Sequence, residues 1–245
     1  MPYFNRNKEK IKLTDMEYLT SGSCARIFHN QEIIFKQYIP GTLLHCKLSE
    51  KMFDILTQIN NPHFIELFDI YSYFNFNKLS ENKKDTLPFI VDAYTAKYYP
   101  DDSINVLFEH KDYILDNFRE LEKLFRIFSE NRIYTDDIRR ANSVIGKDGI
   151  VIIDPDFFYQ PEYLYSSNSI ECSKEYITML NKSNLLNLFR SILVSCIENE
   201  PNYENIITFI NNELTNLEVK DNTDVTHELS KKLKYIKKPI ELFRS

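Results

Sequence analysis

The sequence predicts an α+β fold of two lobes, a small antiparallel sheet carrying one helix and then a mainly helical half. Three observations predict it. Through most of the first hundred residues apolar and polar side chains alternate, the period of half-buried strands. One segment there, 43–59, switches to helical spacing. Beyond residue 100 the helical period dominates and is broken once, by a short hairpin at 143–153. We read 1–245 as a single domain, with the strand-rich lobe at 11–96 and the helical lobe from 97 onward.

Taken in order, "EYLTSGSCARIFHN" (17–30) and "EIIFKQY" (32–38) alternate about a tight turn at Asn30–Gln31, as hairpin strands do. "LLHCKLSEKMFDILTQI" (43–59) sets Leu44, Leu48, Met52, Ile55 and Ile59 on one helical face, and Asn60–Asn61–Pro62 ends it. Two more strands, at 64–76 and 88–99, flank a polar insert at 77–86. The stretch 111–133 reads as a long amphipathic helix with Ile114, Phe118, Leu121, Leu124, Phe125 and Phe128 on one side. In the hairpin that follows, Asp148–Gly149 supplies turn chemistry. The segment 181–197 is the most apolar helix, the expected centre of this half, and 202–214 and 225–236 add further helices.

A hydrophobic fraction of 43%, with 18 Phe and 16 Tyr, is enough for a sizeable core. A net charge of −6 argues against a general nucleic-acid binder. No apolar run is long enough to span a bilayer, and the first residues lack the apolar core of a signal peptide. Cysteines 24, 46, 172 and 196 and histidines 29, 45, 63, 110 and 227 show no zinc spacing. The cysteines read as reduced thiols, so the expectation is a cytoplasmic protein without membrane or nucleic-acid partners. The basic C-terminal stretch 231–238 reads as a solvated helix face.

The stretch "RIYTDDIRRANSVIGKDGIVIIDPDFF" (132–158) carries chemistry. An acidic pair, Asp136–Asp137, precedes Asn142, and an apolar strand then runs into Asp154 and Asp156. Carboxylates and an amide fixed at the ends of a hairpin suit a hard cation and phosphate oxygens.

With these residues in this order the chain resembles a small bacterial member of the protein-kinase-like superfamily, over nearly its whole length. The family's glycine loop, G-x-G-x-x-G-x-V, aligns with Thr20, Gly22, Ala25 and Ile27, of which only the middle glycine is kept. "IIFK" places Lys36 at the family's strand lysine, and Glu50 is its expected helix partner. Asp137 and Asn142 match the catalytic loop D-x-x-x-x-N, and Asp154 matches the later magnesium aspartate.

The resemblance implies an ATP-dependent phosphotransferase with a bilobal protein-kinase-like fold. Lys36 would hold the α/β-phosphates with Glu50 behind it. Gly22, Ala25 and Ile27 would cover the nucleotide, and the backbone at Lys97, Tyr98 and Tyr99 would meet adenine. Asn142 and Asp154 would ligate Mg²⁺, with Mn²⁺ as a substitute, and Asp137 would accept the proton of an attacking hydroxyl. Arg139 stands where serine/threonine kinases carry a lysine on the γ-phosphate. Asp156 is assigned either to the metal shell or to an arginine such as Arg139.

Departures are equally plain. H-R-D becomes Thr135–Asp136–Asp137, D-F-G becomes Asp154–Pro155–Asp156, and no clear A-P-E follows, either at 160–162 or at 169–171. Three functions stay open: a serine/threonine-type protein kinase acting on an unidentified protein, a nucleotide-binding pseudokinase, and a small-molecule kinase of the aminoglycoside or choline type.

Overall fold

A computed structural model describes residues 2–43, 46–73, 90–100, 111–135, 137–160 and 174–196, with the single positions 208 and 212. The insert at 77–86, the A-P-E candidates beyond Gln160 and the helices expected from 202 onward lie outside the described residues. So do Asp136 and the basic stretch 231–238. The architecture is α+β. The chain divides into two compact units, Met1–Leu107 with Ala141–Phe158, and Phe108–Arg140 with Tyr159–Ser245.

The first unit holds a seven-stranded antiparallel sheet. Its strands are β1 (Tyr3–Asn5), β2 (Lys10–Ile11), β3 (Glu17–Ser21), β4 (Ala25–His29), β5 (Ile33–Tyr38), β6 (Leu67–Ser72) and β7 (Ala93–Lys97), in the order β2-β1-β6-β7-β5-β4-β3. The turn expected at Asn30 is there. The Asn30 side-chain oxygen accepts the amides of Glu32 and Ile33 at 2.9 and 2.8 Å, the local competition for backbone donors that makes Asn a turn residue. Tyr3, Phe35 and Ala93 are buried together, with Leu13, Phe28 and Tyr71 against them. The sheet therefore begins at Tyr3, earlier than the expected residue 11.

Helix α1 spans Glu50–Leu56, shorter than the 43–59 that periodicity predicts. The Ser49 hydroxyl accepts the Met52 amide at 3.1 Å and caps it. Just before the cap, the Leu48 amide donates to the Tyr38 hydroxyl at 2.8 Å and so leaves the helical path.

The hairpin β9 (Ser143–Gly146) and β10 (Gly149–Ile152) belongs to this unit, although periodicity grouped it with the helices. Ile152 exchanges backbone hydrogen bonds with His63 and Ile65, both at 2.9 Å. Gly146 is required by packing: a Cβ there would meet Val151 Cγ2 at 2.7 Å and Tyr99 Cε1 at 3.3 Å.

The second unit packs α2 (Lys111–Glu130) with α3 (Lys174–Cys196). Leu121, Leu124, Phe125 and Phe128 are buried as the amphipathic pattern requires, and Phe118 meets Phe189 edge-on at 5.0 Å between centroids. Helix α2 ends in a Schellman turn, with Arg132 left-handed (φ 55) and the Ile133 amide reaching back to the Phe128 carbonyl at 2.8 Å. The short strand β8 (Tyr134–Thr135) follows. Among the described residues no helix is long and apolar enough to cross a membrane.

Candidate functional site

Three adjacent strands of the first unit set the position of Lys36. In the antiparallel register it stands between Ile27 on β4 and Tyr94 on β7. The turn joining β3 to β4 carries Gly22, whose amide donates to the Ala25 carbonyl at 2.9 Å. Nothing lies within 4 Å of where a Gly22 Cβ would be, and its φ is not left-handed. Neither backbone geometry nor packing among the described residues requires a glycine there. Ala25 is buried and Ile27 half-buried.

The Lys36 side chain is 8% exposed, and its ammonium lies 2.7 Å from Asp154 Oδ1 and 2.9 Å from Asp156 Oδ2. The local sequence explains why both carboxylates reach it. Pro155 opens a one-turn 3-10 helix (Pro155–Phe157), the position where its missing N–H is harmless. Asp154 caps that turn by accepting the Asp156 amide at 3.2 Å. Asp156 is 3% exposed, and its other oxygen accepts the Tyr38 hydroxyl at 2.7 Å. Tyr38 in turn takes the Leu48 amide, so both Asp156 oxygens are held by protein donors. Asp154 is more open, at 23%, and its Oδ2 meets no donor among the described residues.

Burial alone would lower the Lys36 pKa, but Asp156 and Asp154 outweigh it and hold the group well above its ordinary value. Burial pushes the Asp156 carboxyl up to about 6, against the pull of Lys36. Burial, then the Asp156 charge, raises Tyr38 well above its ordinary value and keeps it a neutral donor. Tyr94 is fully buried beside Lys36, and its hydroxyl has no hydrogen-bond partner among the described residues.

Asn142 ends a 3-10 turn at the start of the hairpin and is 9% exposed. Its carbonyl accepts the Ile153 amide at 3.0 Å, and Ser143 pairs with Ile152. These bonds at the open end of the hairpin tie the backbones of Asn142 and Ile153, and so place Asp154 next to the same ladder. An amide and a half-open carboxylate at the same hairpin end fit the oxygen preference of Mg²⁺. Among the described residues no group of three His, Cys, Asp or Glu is arranged to hold a metal.

Two expected pairings are corrected. Glu50 is not the partner of Lys36. It is the first residue of α1, where its charge suits the helix dipole, and it meets Arg6 at 3.6 Å. Asp156 is instead paired within its own unit, with Lys36 and Tyr38. At the expected adenine edge the amides of Lys97 and Tyr98 are already used, donating to Glu66 and Glu32 carbonyls at 2.9 Å each. Of the three positions only the Tyr99 amide has no backbone acceptor among the described residues. The Tyr98 ring packs on His29 at 4.5 Å, and the Lys97 ammonium lies over the Tyr99 ring at 5.8 Å.

Asp137 and Arg139 belong to the second unit. Asp137 has a left-handed backbone (φ 48), a conformation that Asp tolerates better than most residues and that recurs at functional loops. Arg139 Nε is 3.1 Å from its Oδ1. The segment leading to Asp137 hangs on Asn181, which periodicity missed. Asn181 Oδ1 accepts both the amide and the hydroxyl of Thr135 at 3.1 Å, and its Nδ2 donates to Ser129 Oγ at 3.0 Å and the Ile133 carbonyl at 2.8 Å. The signal was an Asn inside the most apolar helix, a place where a polar side chain needs partners. Neither a scan against protein-family models nor a search of curated proteins finds a match to this chain.

Proposed function

We propose that this chain is an ATP-dependent phosphotransferase of the protein-kinase-like type, acting on a hydroxyl of a protein substrate in the cytoplasm. One observation carries the reading. Lys36 and Asp154, chosen by motif and 118 residues apart, meet at 2.7 Å in a nearly buried ion pair. Buried charges are costly, and where they persist with perturbed pKa values a site is the first hypothesis. The open space at Gly22, on the hairpin whose strand β4 borders Lys36, supports it, because glycine permits close backbone approach to a ligand.

In this reading Lys36 binds phosphate oxygens, and Asp154 with Asn142 would hold Mg²⁺, which neutralises phosphate charge when bound. Asp137 orients the acceptor hydroxyl and takes its proton. The bilobal arrangement of the family, a sheet-bearing lobe and a mainly helical one, is part of the same proposal.

A second reading is favoured by one observation. Arg139 occupies an oxygen of Asp137, which suits a pseudokinase that binds nucleotide without transferring phosphate.

The test is thermal unfolding with ATP and Mg²⁺ or Mn²⁺. A ligand at about 100 times its dissociation constant stabilises by about 2.7 kcal/mol. The parent protein should melt higher with ATP–Mg²⁺, and Asp154→Asn should lose the metal-dependent part. No shift at millimolar ATP with either metal would overturn the reading. Asp137→Asn should keep the shift and lose about 10²–10⁴-fold in transfer. Binding without transfer to any protein, small alcohol or aminoglycoside would select the pseudokinase; transfer to a small molecule would make it a metabolite kinase.

A further inference from the structure

We infer that Asp156 is the positioning residue of Lys36, and that the Asp154–Pro155–Asp156 turn, not helix α1, sets where the ammonium points. That the ammonium then meets phosphate rests on the function proposed above; the clamp itself does not.

Four observations carry the inference. Asp156 is the more buried of the two Lys36 partners, at 3% against 23% for Asp154. Both of its oxygens are committed, one to Lys36 at 2.9 Å and one to the Tyr38 hydroxyl at 2.7 Å. A carboxylate so occupied is a counter-ion with a fixed rotamer, whereas Asp154 keeps an oxygen for another cation. Tyr38 lies two residues beyond Lys36 on β5, so both side chains leave the same face of one strand. The Leu48 amide then fixes the Tyr38 hydroxyl at 2.8 Å. Finally, Glu50, the only acidic residue in the first turn of α1, pairs with Arg6.

The consequence concerns control. Where a helix carboxylate holds the lysine, moving the helix moves the lysine. Here the counter-ion comes from the same short turn as the candidate metal ligand, so Lys36 and Asp154 are held in register without a carboxylate from α1. The link from α1 to Lys36 then runs only through the Leu48 amide and Tyr38, not through Glu50.

The experiment reads the Lys36 ammonium directly, as the ¹⁵Nζ signal of the full chain, assigned by its loss in Lys36→Arg. A buried, paired ammonium exchanges slowly and gives a sharp signal. Asp156→Asn should broaden it beyond detection or shift it, while the backbone amide spectrum stays folded. Tyr38→Phe should shift it in the same direction by less, and decides the matter if Asp156→Asn does not fold. Glu50→Gln should leave it unchanged. An unmoved signal in Asp156→Asn and Tyr38→Phe overturns the inference, as does its loss in Glu50→Gln. Adding ATP–Mg²⁺ to the parent separates the two claims. If the signal follows Asp156 but ignores nucleotide, the clamp stands and the phosphate role falls.

Discussion

Two buried polar centres, one in each unit, solve the same problem with opposite chemistry. In the first unit Lys36, Asp154 and Asp156 bury formal charge. In the second, Asn181 is 1% exposed and buries only a neutral amide. Asn181 has two donors and two acceptor sites, and all four are used. A satisfied neutral network rigidifies a core at modest cost. A charge cluster costs several times more to dehydrate, and apolar residues of the same volume would often be as stable. The neutral centre thus does what positioning alone needs, holding Thr135 on the approach to Asp137. The charged centre is the costlier way to hold a core together, and under the proposed function that cost serves the binding of a charged ligand.

The comparison breaks most visibly if one charge is removed. Lys36→Met leaves Asp156 buried without its cation, and loss of a buried partner costs about 3–5 kcal/mol. Urea unfolding at neutral pH should show a loss of about 3 kcal/mol. Adding Asp156→Asn to the same chain should recover part of it, because the more deeply buried of the two carboxylates is then no longer left without a cation. A loss below about 1 kcal/mol, the range of exposed pairs, would mean the cluster is not dehydrated.

A smaller loss is expected in the neutral centre. Asn181→Leu keeps the branched shape, with somewhat more bulk, but strands the Thr135 amide and the Ile133 carbonyl, and each buried group left unsatisfied costs about 1–3 kcal/mol. Partial relaxation and the added apolar contact should bring the net to about 2 kcal/mol. A neutral effect would show that water reaches Thr135.

The two centres should also differ in their response to pH. The folded Asp156 carboxyl titrates at about 6, above its ordinary 3.8. The native state therefore takes up that proton before the unfolded chain does. The contribution of this group to stability grows as pH falls from about 6 towards 4 and is lost as pH rises through that window. Relative to Asp156→Asn, the parent should gain stability on acidification with a slope of at most about 1.4 kcal/mol per pH unit. The difference between the parent and Asn181→Leu should stay flat across the same range. A flat Asp156→Asn difference would place that carboxyl in its ordinary range.

How much of this the sequence shows depends on whether the cause is local. The placement of Lys36 on a strand and of Asn142 and Asp154 on either side of one hairpin was legible because motif spacing on such elements is a local property. The turn at Asn30 was legible for the same reason. The partner of Glu50 was not, since Arg6 sits in the turn after a three-residue strand too short to show a period. The start of α1 was misread because Leu48 fits the helical stripe, yet its amide is claimed by Tyr38, ten residues earlier. Asp156 was noticed as a carboxylate, but only the fold places Tyr38 and Lys36 on either side of it. Asn181 went unnoticed because helical periodicity scores an Asn as polar without asking what it faces.

The finest test concerns an ion pair that resembles neither centre. Arg139 and Asp137 stand 3.1 Å apart, with side chains 61% and 22% exposed. Water screens such a pair, and exposed pairs contribute about 0–1 kcal/mol. Arg139→Gln should therefore change unfolding stability by less than about 0.5 kcal/mol. If phosphate transfer is the function, the same substitution should lower its rate, because the resemblance puts Arg139 on the γ-phosphate. Unchanged stability with slower transfer would assign Arg139 to the reaction. Unchanged stability with faster transfer would mean that Arg139 restrains Asp137 and must leave it before the hydroxyl can bind. A stability loss above about 1.5 kcal/mol would instead make the pair a structural clasp on the left-handed Asp137 backbone, a third kind of polar centre that the exposure of Arg139 argues against.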